Sequence, residues 1–217
     1  MSIVPISYCI LLIIVSGTGI VRYRKLTMPF RVLTWSVPTI LVYNILSPIF
    51  SARYKTNAPI LQLECITDFT FYLTAYYFLF KNKLIKKTIV TSLVIAFVFF
   101  CINAVFFQPF LTKFPTYVYF PTQVLFAIFS LLLFKEMLMY PLKINIIKQS
   151  TFWYNTAMLF YATTMFFYFG LSNYFGDHNF HDLIIYYFWY FILFVFHILI
   201  GVSLLTDDKN IADKNAR

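Results

Sequence analysis

Charge is what this chain has least of. Only 12% of its 217 residues are Asp, Glu, Lys or Arg, against about a quarter in soluble domains. The deficit, together with a 61% hydrophobic content gathered into long runs, excludes an ordinary soluble domain. Cysteine is equally sparse. Cys9, Cys65 and Cys101 all lie inside apolar runs, and none forms a spaced pair in a loop. Neither a disulfide framework nor a zinc site is indicated. No Gly-rich phosphate loop, nucleophile elbow or HExxH occurs. The balance of charge is nonetheless basic, at +9. The basic residues cluster at the ends of apolar runs, which is a membrane-topology pattern and excludes a nucleic-acid partner. Phe, Ile, Tyr, Lys and Asn are all abundant, as an AT-rich coding sequence would produce, so the aromatics by themselves carry no special role.

What the chain has instead is seven apolar runs, at 5–21, 30–50, 59–80, 88–107, 117–140, 151–175 and 183–205. Each is near the roughly 20 residues that span a bilayer as a helix. The first run has no basic residue before it and Arg22, Arg24 and Lys25 after it, the reverse of a cleavable signal peptide, and reads as a retained helix. Arg22, Arg24, Lys25 and Arg31, then Lys81, Lys83, Lys86 and Lys87, then Lys143 and Lys148, fall in alternate loops, with Lys209, Lys214 and Arg217 in the tail. The intervening loops hold only Arg53, Lys55 and Lys113. The positive-inside rule then places the N-terminus outside and the C-terminus in the cytoplasm. The expected fold is all-α: a polytopic membrane protein forming a seven-transmembrane-helix bundle over 1–205. A short disordered cytoplasmic tail is expected over 206–217. The lipid bilayer of the cell membrane is its first partner.

The third run carries two carboxylates, Glu64 and Asp68, four residues apart. On a helix they project from one face, and Tyr72 continues that face by another turn, with Thr67 and Phe71 alongside. An acid within a span costs several kcal/mol and marks a bundle interior or a watery cavity. Two acids in low dielectric repel, so at least one binds a proton, a cation or a donor partner. Asn44, Asn103 and Gln123 fall in the outer half of their own helices. Five polar side chains from four helices thus share one depth range, as an outward-open cavity would require. The plainer reading, hydrogen bonding between helices at about a kcal/mol each, is preferred for the three amides. Nothing in packing requires the acidic pair.

Other polar groups are read more plainly. His197 on the seventh run is expected to be a packed hydrogen-bonder. Asp177, His178, His181 and Asp182 form a tight cluster in a short loop, but match no established ligand spacing, so no metal is expected there. Lys135 and Glu136 are expected to snorkel to the interface. Thr88, Ser92 and Ala96 form a small-residue stripe suited to close helix approach.

The sixth run opens Phe152-Trp153-Tyr-Asn155-Thr156-Ala157 and continues through Leu159 to Tyr161. This segment resembles the FWxNSGxLxY pattern of a family of small seven-helix bacterial membrane proteins of unresolved function. Ala157 stands where that pattern has glycine, and Thr156 where it has serine. A glutamate preceded by an asparagine marks helix three in the family, matched by Glu64 and Asn57. The genes of that family often neighbour those of sensor kinases and response regulators. The resemblance implies a bacterial inner-membrane location and a signalling partner; it supplies no ligand or catalytic residue.

The expected function is therefore a membrane-embedded sensor or signalling partner. It binds a small or amphiphilic ligand in an outward-facing cavity lined by Glu64, Asp68, Tyr72, Asn44, Asn103 and Gln123. The alternative is a small transporter or channel for protons, cations or a small solute. That reading needs a polar path through the inner half, where only Asn155 and His197 stand out, and internal repeats, of which none is evident. An enzyme is not expected, nor any cofactor. Glu64 and Asp68 share one helix, Cys65 lies about 100° round it from Glu64, and His197 lies toward the opposite side of the membrane. An intramembrane hydrolase of the ceramidase type would need several membrane histidines around zinc.

Overall fold

A computed structural model of the chain describes residues 3–111, 115–141, 145–175 and 182–208. Among these residues the fold is all-α, with seven α-helices: α1 Ile3–Arg22, α2 Met28–Tyr54, α3 Ala58–Leu79, α4 Lys83–Ile102, α5 Thr116–Met139, α6 Ser150–Phe175 and α7 Asp182–Thr206. Each coincides with one of the seven apolar runs, within a few residues at either end. Five of them, α1, α2, α4, α5 and α7, are long and apolar enough to cross a membrane. The shortfall of α3 and α6 is one of composition, since they have 22 and 26 residues. Gln62, Glu64 and Asp68 interrupt the first, and Asn155 with several threonines and tyrosines the second.

Local chemistry sets the helix ends. Pro29 and Pro59 stand in the first turns of α2 and α3, where the missing N–H costs nothing and the fixed φ is already helical. Lys55 closes α2 in the left-handed region, at φ 61°. The Asn82 side chain accepts from the Leu84 N–H at 2.8 Å and caps α4. At its far end α4 widens into a π-helical turn, Asn103–Phe107.

The chain divides into two compact units. The first, Met1–Leu26 with Gln123–Arg217, contains α1, most of α5, α6 and α7. Tyr8, Leu12, Val15 and Ser16 form the buried stripe of α1. Its neighbour α7 buries Ile192, Phe196, Ile200, Ser203 and Leu204. A Cβ placed at Gly201 would stand 3.2 Å from Val15 Cγ2, so the two helices meet closely there. Arg22 ties off one end of this pair: its Nε donates to the Leu204 carbonyl at 3.2 Å and its Nη2 to the Asp207 carbonyl at 2.9 Å. The Ser150 hydroxyl donates to Asp207 Oδ1 at 2.9 Å and brings in the start of α6. Thr206, expected to begin a disordered tail, is the last residue of α7, and Asp207 is buried. Residues 209–217 lie outside the described residues.

Between α5 and α6 the contact is polar. Ser130 Oγ lies 2.9 Å from both the carbonyl and the Oδ1 of Asn155, and Asn155 Nδ2 donates to the Ser130 carbonyl at 2.9 Å. Both residues are fully buried. A buried polar group that loses its partner costs about 1–3 kcal/mol, so these bonds hold the two helices in register. Replacing Asn155 with Leu is expected to cost about 1–2 kcal/mol. That loss would be read as an earlier thermal unfolding transition in detergent; an unchanged transition would contradict it.

The second unit, Thr27–Thr122, contains α2, α3, α4, the π-turn and the first residues of α5. Tyr43 Oη and Thr67 Oγ1, 3.0 Å apart, link α2 to α3, and Asn57 Nδ2 donates to Ser47 Oγ at 3.0 Å near the turn between them. Cys65, Phe100 and Val118 form a small apolar cluster joining α3, α4 and α5. The small-residue stripe of α4 is used only in part. Ala96 is buried, but Thr88 is exposed and turns its hydroxyl to the Leu84 carbonyl of its own helix. The buried stripe is Ile89, Ala96, Phe100 and Asn103.

Candidate functional site

The candidate site is built on α3, whose fully buried side chains include Gln62, Cys65, Phe69, Tyr72 and Tyr76. These recur at three- and four-residue intervals, the spacing of one helix face. Glu64 and Asp68 stand on the shoulder of that stripe and are half-buried. Successive four-residue steps on an α-helix turn by about 40°. The line Glu64, Asp68, Tyr72 therefore drifts inward, from shoulder to core. Asp68 is the unusual member, because its Oδ1 is enclosed and has no hydrogen-bond partner.

Of the expected amides, Asn103 is closest in character to Asp68. It is fully buried at the start of the π-turn, and neither its Oδ1 nor its Nδ2 has a partner. Because Cys65 packs with Phe100 across the antiparallel pair α3 and α4, Asn103 falls one turn beyond, at the level of Gln62. Asn44 is half-buried on α2 and donates to the Ile40 carbonyl of its own helix at 3.0 Å. Its amide thus bonds within one helix, where a bond between helices was the plainer expectation. Gln123 is buried with its Oε1 unpartnered and belongs to the first unit. Within the second unit the structure brings together Glu64, Asp68 and Tyr72 on α3, with Asn103 at a neighbouring level on α4.

Two residues of this unit carry more of its polar architecture than the sequence indicated. Gln62 Nε2 donates to the carbonyls of Gln108 and Pro109 at 3.2 and 3.4 Å. Gln108 in turn donates through Nε2 to Thr116 Oγ1 at 2.6 Å and accepts from the Tyr117 N–H at 3.1 Å. Its own N–H donates to the Asn103 carbonyl at 2.8 Å. Gln108 therefore fastens the π-turn to the start of α5, and Gln62 fastens both to α3. The available signal for Gln62 was its place on the same stripe as Cys65, Phe69 and Tyr72.

In the first unit, His197 is buried, with Nδ1 3.2 Å from Tyr8 Oη and 2.9 Å from the Leu193 carbonyl. This is the packed arrangement expected of it, although Nε2 is left without a partner. The segment from Phe152 to Tyr161 is also engaged in packing. Phe152 meets Phe134, Trp153 Nε1 donates to the Ile147 carbonyl at 2.7 Å, Asn155 binds Ser130, and Tyr161 lies 4.5 Å from Phe196 between ring centroids. The Asp177, His178 and His181 cluster lies outside the described residues, as does the side chain of Asp182. Among the described residues no group of three or more His, Cys, Asp or Glu is placed to hold a metal ion. Compared with protein-family models, with curated proteins and with solved structures, the chain matches none.

Proposed function

We propose that the chain is a multi-pass inner-membrane protein whose seven helices all span the bilayer. Its N-terminus is outside and its C-terminus cytoplasmic, and it acts as a sensor or signalling partner. A small or amphiphilic ligand binds in an outward-facing cavity of the second unit, lined by Glu64, Asp68, Tyr72 and Asn103, with Asn44 as a further candidate. The observation that carries this reading is the enclosed, unpartnered Asp68 Oδ1. A buried acceptor without a partner costs about 1–3 kcal/mol, and such a cost within a membrane is retained where a ligand, ion or proton meets it. The unpartnered amide of Asn103 supports the same reading. Orientation rests on the skew of Lys and Arg to alternate loops. On this reading the signal passes through helix contacts to a membrane partner.

The competing reading, a proton, cation or solute transporter, uses the same acids as part of a path. Two measurements on the purified protein separate them. Native mass spectrometry is expected to find a copurified small molecule that Asp68→Leu loses. Reconstituted liposomes are expected to show no proton or cation flux above empty vesicles. Flux abolished by Asp68→Asn would replace the sensor with the transporter. A reporter fused to the C-terminus that proves external would overturn the topology.

A further inference from the structure

The second unit places two carboxylates where its own helices bring no cation. Residues 32–52, 56–80 and 88–112 contain no Lys, Arg or His, and Glu64 and Asp68 lie within the second of these stretches. Arg53 and Lys55, the basic residues that precede them, are exposed at the end of α2, and Arg53 lies over the Tyr54 ring at 5.6 Å. The middle of α2, α3 and α4 is therefore acidic and uncompensated.

The hydrogen-bond donors nearby are spent on other acceptors. Thr67 gives its one hydroxyl hydrogen to the Leu63 carbonyl at 2.6 Å, so in the 3.0 Å contact between them Tyr43 donates to Thr67. Asn44 Nδ2 donates to the Ile40 carbonyl, and Gln62 Nε2 to the carbonyls of Gln108 and Pro109. Asp68 Oδ1 stays enclosed and unmet, although Tyr72 stands one turn further on. On α4, Asn103 is fully buried on the stripe whose Phe100 packs with Cys65 of α3. Its level is that of Gln62, about 3 Å along the axis from Glu64, and its amide is unmet at both Oδ1 and Nδ2. Acceptors are left over here, and Asn103 Nδ2 is the exception.

What complements two carboxylates and surplus acceptors is a cation that donates hydrogen bonds. Side chains four apart on a helix stand about 5–6 Å apart at Cβ, and a charge-assisted N–H to carboxylate bond is about 2.7–2.9 Å long. One ammonium, with several N–H groups, therefore reaches both Glu64 and Asp68. A metal ion asks for more ligands than these two. Among the described residues no group of three or more His, Cys, Asp or Glu is placed to hold one. Phe69, Tyr72 and Tyr76, buried on the adjoining face of α3, suit the apolar body of an organic amine, and aromatic ring faces attract a cation.

We propose that the ligand held at Glu64 and Asp68 is an organic ammonium ion, an amine carried on an apolar body, with Asn103 as a further polar contact. The proposal rests on the cavity reading given above and names the chemistry of its ligand. The test is equilibrium dialysis of the full chain in dodecylmaltoside with radiolabelled octylamine and, separately, 1-octanol, each corrected for micelles alone. Wild type is expected to bind octylamine saturably and to prefer it to octanol by about tenfold or more, as charge-assisted hydrogen bonds require. Asp68→Asn keeps the size of the side chain, removes its charge and adds a donor. It is expected to weaken octylamine binding by about tenfold or more, for the same reason. Asp68→Glu is expected to keep most of the preference, and Glu64→Gln to lose less than Asp68→Asn. Unlabelled phenylethylamine is expected to displace octylamine, and octanoate and calcium are not.

Octanol bound as tightly as octylamine, or octylamine uptake undiminished in Asp68→Asn, would overturn the ammonium and leave the cavity to another ligand. So would a neutral or anionic molecule that copurifies with wild type and is lost in Asp68→Leu. Displacement of octylamine by calcium would mark an inorganic cation site and overturn the proposal too. Saturable binding of none of these probes, with no copurified molecule that depends on Asp68, would overturn both the ammonium and the cavity.

Discussion

Asp68→Leu is expected to raise thermal stability while abolishing ligand retention. The enclosed Oδ1 has no partner, and a buried polar atom left unmet costs about 1–3 kcal/mol. Leucine keeps the branching of the aspartate side chain, though it is bulkier, and it prefers the helix and brings no unmet acceptor. For a chain of this size a gain of that order moves the melting temperature by about 2–10 °C. A group kept for packing would respond in the opposite direction, since its removal would lose contacts. Scanning fluorimetry of wild type and variant in the same detergent decides between them. A melting temperature that falls by several degrees would make Asp68 a structural residue. Glu64→Leu is expected to shift stability less, because Glu64 sits further from the buried stripe.

The second large effect is expected at Gly201. The α1–α7 contact closes there, with Val15 Cγ2 at 3.2 Å from where a Cβ would stand. A single methyl already requires Val15 to move by a few tenths of an ångström. A leucine requires the helices to part. Overpacking in a well-filled contact costs about 1–3 kcal/mol and sometimes more. Parting α1 from α7 would also strain the Tyr8–His197 contact and the Arg22 bonds to the end of α7. Gly201→Leu is therefore expected to be among the most damaging single changes in the first unit, by expression level and by melting temperature. Val15→Ala in the same chain should recover part of the loss, because it vacates the space the leucine needs. A Gly201→Leu protein as stable as wild type would contradict the close approach.

The seven helices were legible because apolar run length reports helix length directly; the start of α4 was not, since it begins at Lys83, five residues before the apolar run at 88. Long-range polar contacts were far less legible. Asn155 was visible as an amide in an apolar run, but its partner Ser130 lies 25 residues earlier on another helix, and no local pattern names it. Gln62 and Gln108 escaped notice because the eye goes to charge in an apolar stretch, whereas an amide can meet both its needs by bonding backbone at a turn. Arg22 was read for its charge alone, although it also holds the last carbonyls of α7. The acidic pair shows the limit in the other direction. Spacing put Glu64 and Asp68 on one face of a helix, but the 40° drift per step decides how deeply each is set. That drift is why Tyr72 is in the core and Glu64 is not.

The central claim is that the acid-bearing face of α3 opens to the outside. It is tested most directly by placing a cysteine at position 68 in a chain whose own thiols are removed by Cys9→Ala, Cys65→Ala and Cys101→Ala. Intact cells or right-side-out vesicles are then treated with a membrane-impermeant thiol reagent. Asp68→Cys is expected to react from the outside, while a cysteine at Ile95, 63% exposed on the apolar outer face of α4, is expected to stay unmodified. Labelling at position 68 only after the cytoplasmic side is opened to the reagent, or no labelling from either side, would contradict an outward-facing cavity.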